Sequence, residues 1–370
     1  MQHDSMHFIL FCRVIDRFGD AAIAWRLARQ LVAAGQCCTL LIDHLPTLKQ
    51  LCPELDMLHL DLDGIRVIVW SKDVRPSDLP VADVWIECFG CGWGGLDHSH
   101  YTDPQRPLRY NLEYLGTESW VEQCHGLDSP DPRTGLKTTF WIPGFSRYSG
   151  GLLREQGQDE DDAPSDLLSR LLGMPVHASA CSVSLFCYQH APLQGLADAL
   201  VEQSEHQETH LLIFPGEPSK AWSQISLSMT SPLHIHWLPW LSHTDYDRLL
   251  RCCSLNIVRG EDSFVRAHWA GRPLLWHAYP QDDVAHLDKV RGWLEQRPVS
   301  QPFYAWHLDF NQGSGHPDQA RAALDVLPEE QACILEFRRT LRGLPSLVEQ
   351  MLEHIQHQRS SGQSNAMLNA

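Results

Sequence analysis

The sequence lacks a hydrophobic run long enough to span a membrane. A membrane-spanning helix needs about 20 consecutive apolar residues, and the first apolar run of the chain, residues 8–12, is far shorter. His3 and Asp4 stand where a secretory signal carries Lys or Arg, and no small-residue cleavage site follows the run. We therefore expect a cytoplasmic protein with no membrane partner.

Positive charge is also in short supply. The 370 residues include 29 Lys and Arg against 46 Asp and Glu, which gives a formal net charge of −17. Surfaces that follow a nucleic-acid backbone need clustered cations. We therefore expect no nucleic-acid partner, although the composition leaves room for a local basic pocket.

The cysteines do not form the framework of a disulfide-rich or zinc-binding protein. Twelve cysteines are spread over the chain, and some, such as Cys12 and Cys187, lie inside apolar runs. We expect most of them to be buried free thiols. Cys88 and Cys91 form a C-x-x-C pair, but no matching pair follows at zinc-site spacing. We predict no metal site.

The sequence does contain short apolar runs alternating with segments of helical spacing. Residues 7–15 read as a buried strand, followed by a turn at 18–20 and a helix that extends to Gly35. Such alternation predicts parallel βα units, and 370 residues are enough for two domains. Further strands of the first half are expected at residues 38–42, 66–70 and 81–89.

The alternation restarts after an acidic segment at residues 155–165, which we interpret as a solvated loop near a domain boundary. A second doubly wound domain is the simplest interpretation. Two such domains that face each other across a cleft favour a nucleotide-dependent enzyme. The predicted strands are 182–188, 211–214, 233–237, 255–258 and 273–276, and the predicted helices are 192–205, 244–252 and 263–270.

Residues 90–95 match the G-x-G-x-x-G pattern of dinucleotide-binding proteins. The pattern needs a helix to follow it, whereas residues 96–104 have no helical periodicity and end at a proline. We predict a loop, and a nicotinamide-dependent dehydrogenase is a distant alternative.

Two other turns carry groups suited to catalysis. In the first, Asp16 and Asp20 lie four residues apart between a strand and a helix, with Gly19 beside them. Asp20 could cap the helix, but Gly19 equally favours a close approach to a ligand. In the second, residues 259–263 (Arg-Gly-Glu-Asp-Ser) lead from a strand into a helix whose free N–H groups can bind a diphosphate, with Arg259 as its partner.

Three aromatic residues follow predicted strands of the second half, where they would line a cleft. These residues are Tyr188, Trp240 and Tyr279. Each could belong to the core, but an exposed flat ring also stacks on a nucleobase.

A resemblance to a known family is carried by residues 14–20, 25–28, 111–115, 120–121, 125–127, 129–130, 143–145, 150–155, 184–188, 246–250, 256–266, 269–271 and 279–281. Over nearly the whole chain, these segments resemble the bacterial elongation factor P arginine rhamnosyltransferases, the EarP family. The resemblance does not depend on any single motif.

The resemblance implies a GT-B glycosyltransferase fold, an α/β architecture of two Rossmann-like domains facing across a cleft. It implies an inverting transfer of L-rhamnose from the donor dTDP-β-L-rhamnose to one arginine of elongation factor P, without a metal or other cofactor. The domain division expected with it is residues 1–178 on the acceptor side, completed by a helix at 345–358, and residues 179–344 on the donor side. The polar composition after Gln356 predicts a disordered tail at 359–370.

The same resemblance assigns the site residues. Asp20, Asp16 and Glu261 match catalytic positions, with Asp20 as the candidate base. The positions expected to bind the donor are Phe18, Gly19, Tyr188, Trp240, His243, Arg259, Gly260, Asp262, Ser263 and Tyr279.

Three residues depart from the family pattern. Arg17 replaces an asparagine and puts a cation beside the two aspartates, Trp240 replaces a phenylalanine and keeps a stacking face, and His243 replaces a glutamine that addresses the base edge. These departures bear on donor preference and on catalytic rate.

Two alternatives to a rhamnosyltransferase stay open. One is a GT-B enzyme that uses another sugar nucleotide or acceptor, and the other is a non-catalytic module of the same fold that binds elongation factor P.

Overall fold

The computed structural model describes residues 5–15, 18–56, 58–96, 106–132, 134–155, 167–227, 231–281 and 284–368, the last eight by their backbone alone. The chain forms two compact units. The first contains residues 1–155 and 344–370, and the second contains residues 156–343.

The first unit contains an eight-stranded sheet in the order β3-β4-β2-β1-β5-β6-β8-β7. Its ladder is parallel except for the two edge strands, β3 and β7, which pair antiparallel with their neighbours. The strands are β1 (His7–Cys12), β2 (Cys37–Ile42), β3 (Asp61–Leu62), β4 (Ile65–Val69), β5 (Val84–Cys88), β6 (Leu108–Leu112), β7 (Asp128–Pro130) and β8 (Lys137–Trp141).

Strand β1 is apolar throughout because both faces of the sheet are covered. Phe8 and Leu10 point into one hydrophobic cluster, whereas Ile9 and Phe11 point into another on the opposite face. A buried parallel strand shows this continuous apolar pattern. The helices of the first unit are α1 (Gly19–Ala33), α2 (Leu45–Leu51), α3 (Val121–Cys124) and α13 (Leu347–Leu368), and a 3₁₀ turn covers Pro76–Asp78.

The second unit contains five parallel strands in the order β11-β10-β9-β12-β13. They are β9 (Cys181–Leu185), β10 (Thr209–Ile213), β11 (His234–Trp237), β12 (Leu255–Arg259) and β13 (Leu274–His277). The helices are α4 (Leu167–Leu172), α5 (Gln194–Ser204), α6 (Glu217–Trp222), α7 (His243–Cys252), α8 (Asp262–Ala270), α9 (Ala285–Glu295), α10 (Gln301–Asn311), α11 (Pro317–Asp325) and α12 (Leu327–Arg342).

The division between the units differs from the boundary at residue 178 that the sequence suggests. Residues 167–178 belong to the second unit, because the leucines of α4 pack on a cluster that contains Leu212, Phe214 and Leu249. The acidic segment lies mostly outside the described residues.

Residues 359–368, part of the tail expected to be disordered, have a helical backbone. The backbone of α13 continues to Leu368, well past the helix end expected at 358. Arg359 forms an ion pair with Asp83, which ties this part of the helix to the first unit. In the described part of the chain, no helix combines the length and the hydropathy that crossing a membrane requires.

Candidate functional site

In the first unit, Asp20 lies in the first turn of α1, after the carboxyl end of β1. Its side chain is buried, with 1% of its surface exposed. One carboxylate oxygen accepts a hydrogen bond from the Ile15 N–H at 2.8 Å, and the other accepts from the Tyr114 hydroxyl at 3.4 Å. These bonds come from outside the helix and fix the direction in which the carboxylate points.

The other predicted residues of this turn are described only in part. Asp16 and Arg17 lie outside the described residues. Phe18 and Gly19 are half-buried at the start of α1, where the Phe18 carbonyl accepts the Ala22 N–H at 2.9 Å. Their expected contact with the donor stays a prediction.

Tyr114 is a site residue that the sequence reasoning missed. It follows β6 and stacks on Phe89, with ring centroids 4.4 Å apart, and this stacking supports the ring that contacts Asp20. Its place just after a strand, inside the segment 111–115 that carries the resemblance, is the signal that could have identified it.

The glycine-rich segment at 90–95 forms a loop, as expected. The described residues after β5 contain no α-helix up to residue 96. Gly90 and Gly92 have positive φ, and their N–H groups donate to Asn111 at 3.0 Å and Glu87 at 2.7 Å. Within the described residues, which stop at 96 and resume at 106, no helix N-terminus follows the glycines to bind a pyrophosphate, as the dinucleotide interpretation requires.

The thiols near Asp20 are poorly suited to chemistry of their own. Burial, and then the charge of Glu87, raise the pKa of Cys91 to about 11. Burial raises the pKa of Cys12 above its ordinary value, and the charge of Asp20 adds to this effect. Burial also raises the pKa of Cys88, the other thiol of the C-x-x-C pair. A thiol must ionise to act as a nucleophile or metal ligand, so these raised pKa values make the pair poorly reactive at neutral pH.

In the second unit, Arg259 lies at the carboxyl end of β12 with 10% of its side chain exposed. Its guanidinium pairs with Glu217 at 2.8 Å and donates to the Cys187 carbonyl at 3.4 Å. It also lies over the rings of Phe186 and Tyr188, 4.7 and 4.8 Å from their centroids. The cation is thus held in one place, largely buried, with a small part of its side chain still exposed.

Glu217, at the start of α6, contacts Arg259 and is a residue that the sequence reasoning missed. Burial alone would raise its pKa, but the charge of Arg259 and the hydrogen bonds from Arg259 and the Gln189 N–H hold the pKa of this carboxyl below its ordinary value. Glu217 is therefore ionised at neutral pH. The signal was present in the sequence, because Glu217 follows Pro-Gly directly after a strand.

The turn from Gly260 to Ser263 connects the end of β12 to the first residues of α8. Gly260 has φ +61 and its carbonyl accepts the Trp276 ring N–H at 2.8 Å. The Ser263 hydroxyl donates to the Arg259 carbonyl. Helix α8 begins at Asp262, so its free N–H groups form an anion site.

Glu261 and Asp262 each lie near a cation. Lys289 of α9 pairs with Glu261 at 2.6 Å, and Arg266 lies 3.9 Å from Asp262. The catalytic role expected for Glu261 stays a prediction. Lys289 was not singled out in the sequence, because it belongs to a helix that carries no motif.

The three aromatic residues differ in exposure. Tyr188 is buried and lies edge-on to Tyr279, whose side chain is 63% exposed. Trp240 is 48% exposed and lies beside Gly216, where a Cβ atom would contact its ring at 3.8 Å. Tyr279 and Trp240 therefore offer accessible faces for stacking, whereas Tyr188 supports Arg259.

His243 and His277 are both buried in this unit. His243 is the first residue of α7. His277 ends β13, and its Nδ1 accepts the Tyr188 N–H at 3.3 Å. Burial, followed by the nearby His190 and Arg259, lowers the pKa of His277 to about 3, so it stays neutral and orients Tyr188.

Within each unit, these residues lie at the carboxyl ends of parallel strands, the edge where open α/β sheets bind ligands. The second unit combines a fixed guanidinium, a helix N-terminus and exposed aromatic rings, which suit a diphosphate linked to a nucleobase. No group of three or more His, Cys, Asp or Glu in the described residues could hold a metal ion. The fold of the chain is the GT-B fold.

Comparisons with known proteins identify the family. Residues 8–356 match the model described as "Elongation-Factor P (EF-P) rhamnosyltransferase EarP". A protein-arginine rhamnosyltransferase of Pseudomonas aeruginosa is 39% identical over 308 residues, 77% of this chain and 80% of that protein. One from Pseudomonas putida is 37% identical over 354 residues, 87% of this chain and 91% of that protein.

A solved structure has a matching fold over both units. It is described as the structural basis for EarP-mediated arginine glycosylation of translation elongation factor EF-P. It is 24% identical and superposes with a TM-score of 0.61, covering 96% of this chain and 99% of that one. The chain belongs to the EarP family of elongation factor P rhamnosyltransferases.

Proposed function

We propose that this protein transfers L-rhamnose from dTDP-β-L-rhamnose to an arginine side chain of elongation factor P, with inversion at the anomeric carbon. Family membership makes the chain a protein-arginine rhamnosyltransferase. The site of the second unit supports a nucleoside-diphosphate donor. The observation that carries this proposal is the guanidinium of Arg259, held over two aromatic rings beside the N-terminus of α8.

The donor is proposed to bind in the second unit. Its diphosphate would pair with Arg259 and with the N–H groups that start α8, including that of Ser263. When the bond to the sugar breaks, negative charge grows on the diphosphate, and a fixed cation stabilises that charge more in the transition state than before it. Tyr279 and Trp240 are proposed to stack on the thymine.

The acceptor arginine is proposed to react beside Asp20 of the first unit. A guanidinium has a pKa above about 12, so a carboxylate cannot remove its proton before the new bond forms. An arginine nitrogen attacks the anomeric carbon, the bond from that carbon to the diphosphate breaks, and Asp20 takes the proton as the nitrogen acidifies. The products are rhamnosyl-arginine, dTDP and protonated Asp20, which returns its proton to water.

Asp16 and Glu261 are the other proposed participants. Asp16 would bind the acceptor guanidinium together with Asp20, and Glu261 would act near the sugar from the turn before α8.

We propose that no metal takes part, because Arg259 and α8 supply the positive field that a metal would otherwise provide. A cytoplasmic location completes the proposal, and it is supported by the twelve cysteines, all of them free thiols.

Mass spectrometry of elongation factor P tests the reaction directly. The factor is incubated with this protein and dTDP-rhamnose, with and without EDTA, and in parallel with UDP- or GDP-linked rhamnose. We expect one deoxyhexose on one arginine, formed with EDTA present and fastest with the dTDP donor. Loss of the product in EDTA would overturn the metal-free step, and a faster reaction with another nucleotide would reassign the donor.

A further inference from the structure

The second unit contains a cavity lined largely by arginine, separate from the site around Arg259. Its volume is about 540 Å³, within the range of roughly 300–1,000 Å³ typical of small-molecule sites. Five of its nine lining residues are arginines, and those lining residues, within the part of the chain that the structure describes, include no Asp or Glu. The arginines are Arg251, Arg272, Arg338, Arg339 and Arg342.

The topology places this cavity at the opposite edge of the sheet from Arg259. Arg251 ends α7 just before β12 begins at Leu255, and Arg272 precedes the start of β13 at Leu274. Both strands run in the same direction, so these arginines lie at the amino ends and Arg259 at a carboxyl end. A five-residue strand separates the two edges by roughly 13 Å.

Part of this arginine cluster has a structural role. Arg272 donates to the Arg251 carbonyl at 2.9 Å, and Arg338 donates to the Ala270 carbonyl at 3.5 Å. Both bonds satisfy carbonyl groups at the C-terminal ends of α7 and α8, where the helix dipole favours cations. Arg338 lies so close to Gly271 that a Cβ atom there would meet its Nη1 at 2.2 Å.

Helix capping does not explain the rest of the cluster. Arg339 is exposed and Arg342 half-exposed near the end of α12, and both line the same cavity. The five arginine side chains, with no Asp or Glu among the described residues of the lining, give the cavity a positive surface. A ligand with several negative charges suits such a surface, because one guanidinium group can bind two phosphate oxygens at once.

We propose that this cavity binds a compact polyphosphate, at a site separate from that of the sugar nucleotide. The phosphate chain is the recognised part, because no aromatic ring of the described residues lines the cavity for a base to stack on. Arg339 and Arg342 contact the phosphates from α12, while Arg338 and Arg272 hold the ends of α8 and α7 beneath them. The proposal does not depend on the rhamnosyl transfer.

Calorimetric titration of the full chain with inorganic tripolyphosphate tests this site. The protein is first saturated with dTDP, so that the site around Arg259 is filled, and ionic strength is held constant. We expect binding to persist, and the double variant Arg339→Ala/Arg342→Ala to weaken it by at least about tenfold. Both side chains reach solvent, so the double variant should fold normally.

Two controls complete the experiment. Arg291→Ala removes an exposed arginine that pairs with Asp288 on α9 and should leave tripolyphosphate binding unchanged. Arg259→Ala should weaken dTDP but not tripolyphosphate. A parallel titration with ATP tells whether a nucleoside adds affinity, and binding by either probe supports the site. Competition between dTDP and tripolyphosphate, or equal weakening by Arg291→Ala and the double variant, would overturn the proposal.

Discussion

At the scale of single residues, Arg259 and Asp20 share one feature: each charged group is held by neighbours that leave it little freedom. Two aromatic rings and Glu217 hold the guanidinium. The Ile15 N–H and the Tyr114 hydroxyl hold the carboxylate. Groups fixed in this way need little reorganisation during a reaction.

Replacing Asp20 with asparagine should abolish most turnover while leaving donor binding intact. An amide keeps the shape of the carboxylate but cannot accept the proton that the acceptor arginine releases. Loss of a general base typically lowers the rate about 10²–10⁴-fold. Steady-state rates and a dTDP titration measure the two effects. Asp43→Asn is the matched control, because Asp43 also accepts a loop N–H, that of Val14 at 2.9 Å. Near-normal turnover of Asp20→Asn would rule out the base assignment.

Replacing Glu217 with glutamine should tighten dTDP binding. The carboxylate neutralises Arg259 and competes with the diphosphate, whereas an amide keeps a hydrogen bond without the charge. We expect the Kd for dTDP to fall several-fold, a gain in binding on the order of one charge-assisted hydrogen bond. Arg259→Ala should raise the Kd for dTDP instead. Glu202→Gln, at an exposed pair with Arg321, is the control. Weaker binding by Glu217→Gln would mean that Glu217 chiefly positions the guanidinium.

At the scale of elements, α13 shows how a distant segment completes a core. Its residues Leu347, Val348, Met351 and Ile355 are buried in the same cluster as β1. The Tyr110 hydroxyl on β6 lies 3.0 Å from His354 Nδ1. The first unit therefore needs the last helix of the chain to cover one face of its sheet.

Truncating Met351 to alanine should lower the free energy of unfolding of the first unit. Met351 is fully buried, and such truncations cost about 2–5 kcal/mol through lost burial and a new cavity. Denaturant unfolding monitored by circular dichroism measures the loss. Glu353→Ala, on the exposed face of the same helix, should change stability by less than about 0.5 kcal/mol. Equal stability of both variants would show that α13 does not support this core.

At the scale of the whole molecule, several of the 21 histidines connect core elements. His307 donates from Nδ1 to the Phe303 carbonyl at 2.8 Å, and its Nε2 accepts the Trp276 N–H at 3.2 Å. His268 likewise donates to the Phe264 carbonyl and accepts the Trp293 ring N–H. For each histidine, the bond accepted by Nε2 requires the neutral ring, because protonation of that nitrogen would remove the acceptor.

The second unit should therefore lose stability in acid. Burial first, and nearby cations second, lower the pKa of His277 and His307 to about 3, and burial lowers that of His268 to about 3. Below pH 6.5 the unfolded chain binds protons that the folded unit does not, so stability falls as the pH drops towards 3, by roughly 1 kcal/mol per pH unit for each histidine.

Denaturant unfolding between pH 7 and pH 4.5 measures the slope of the free energy of unfolding against pH. His307→Gln should make this slope shallower, even if the variant is less stable at pH 7, because glutamine can donate and accept hydrogen bonds without titrating. His206→Gln, at an exposed position, should leave the slope unchanged. A slope for His307→Gln equal to that of the unmodified protein would contradict this account.

The sequence by itself determined the strand and helix alternation, the loop character of residues 90–95 and the turns that carry Asp20 and Arg259. These features are local: runs of apolar residues, glycines and caps act within a few positions of the chain. The GT-B fold and family of the chain were likewise predicted from motifs spread over its length.

Only the tertiary structure decided which residues meet. Tyr114 reaches Asp20, and Glu217 reaches Arg259, because parallel strands bring their carboxyl ends to one edge of the sheet from distant parts of the chain. The division of the units at residue 155 and the arginine cavity follow from packing between elements. Such contacts leave no periodic pattern in the sequence, since each depends on side chains that become neighbours only after the chain folds.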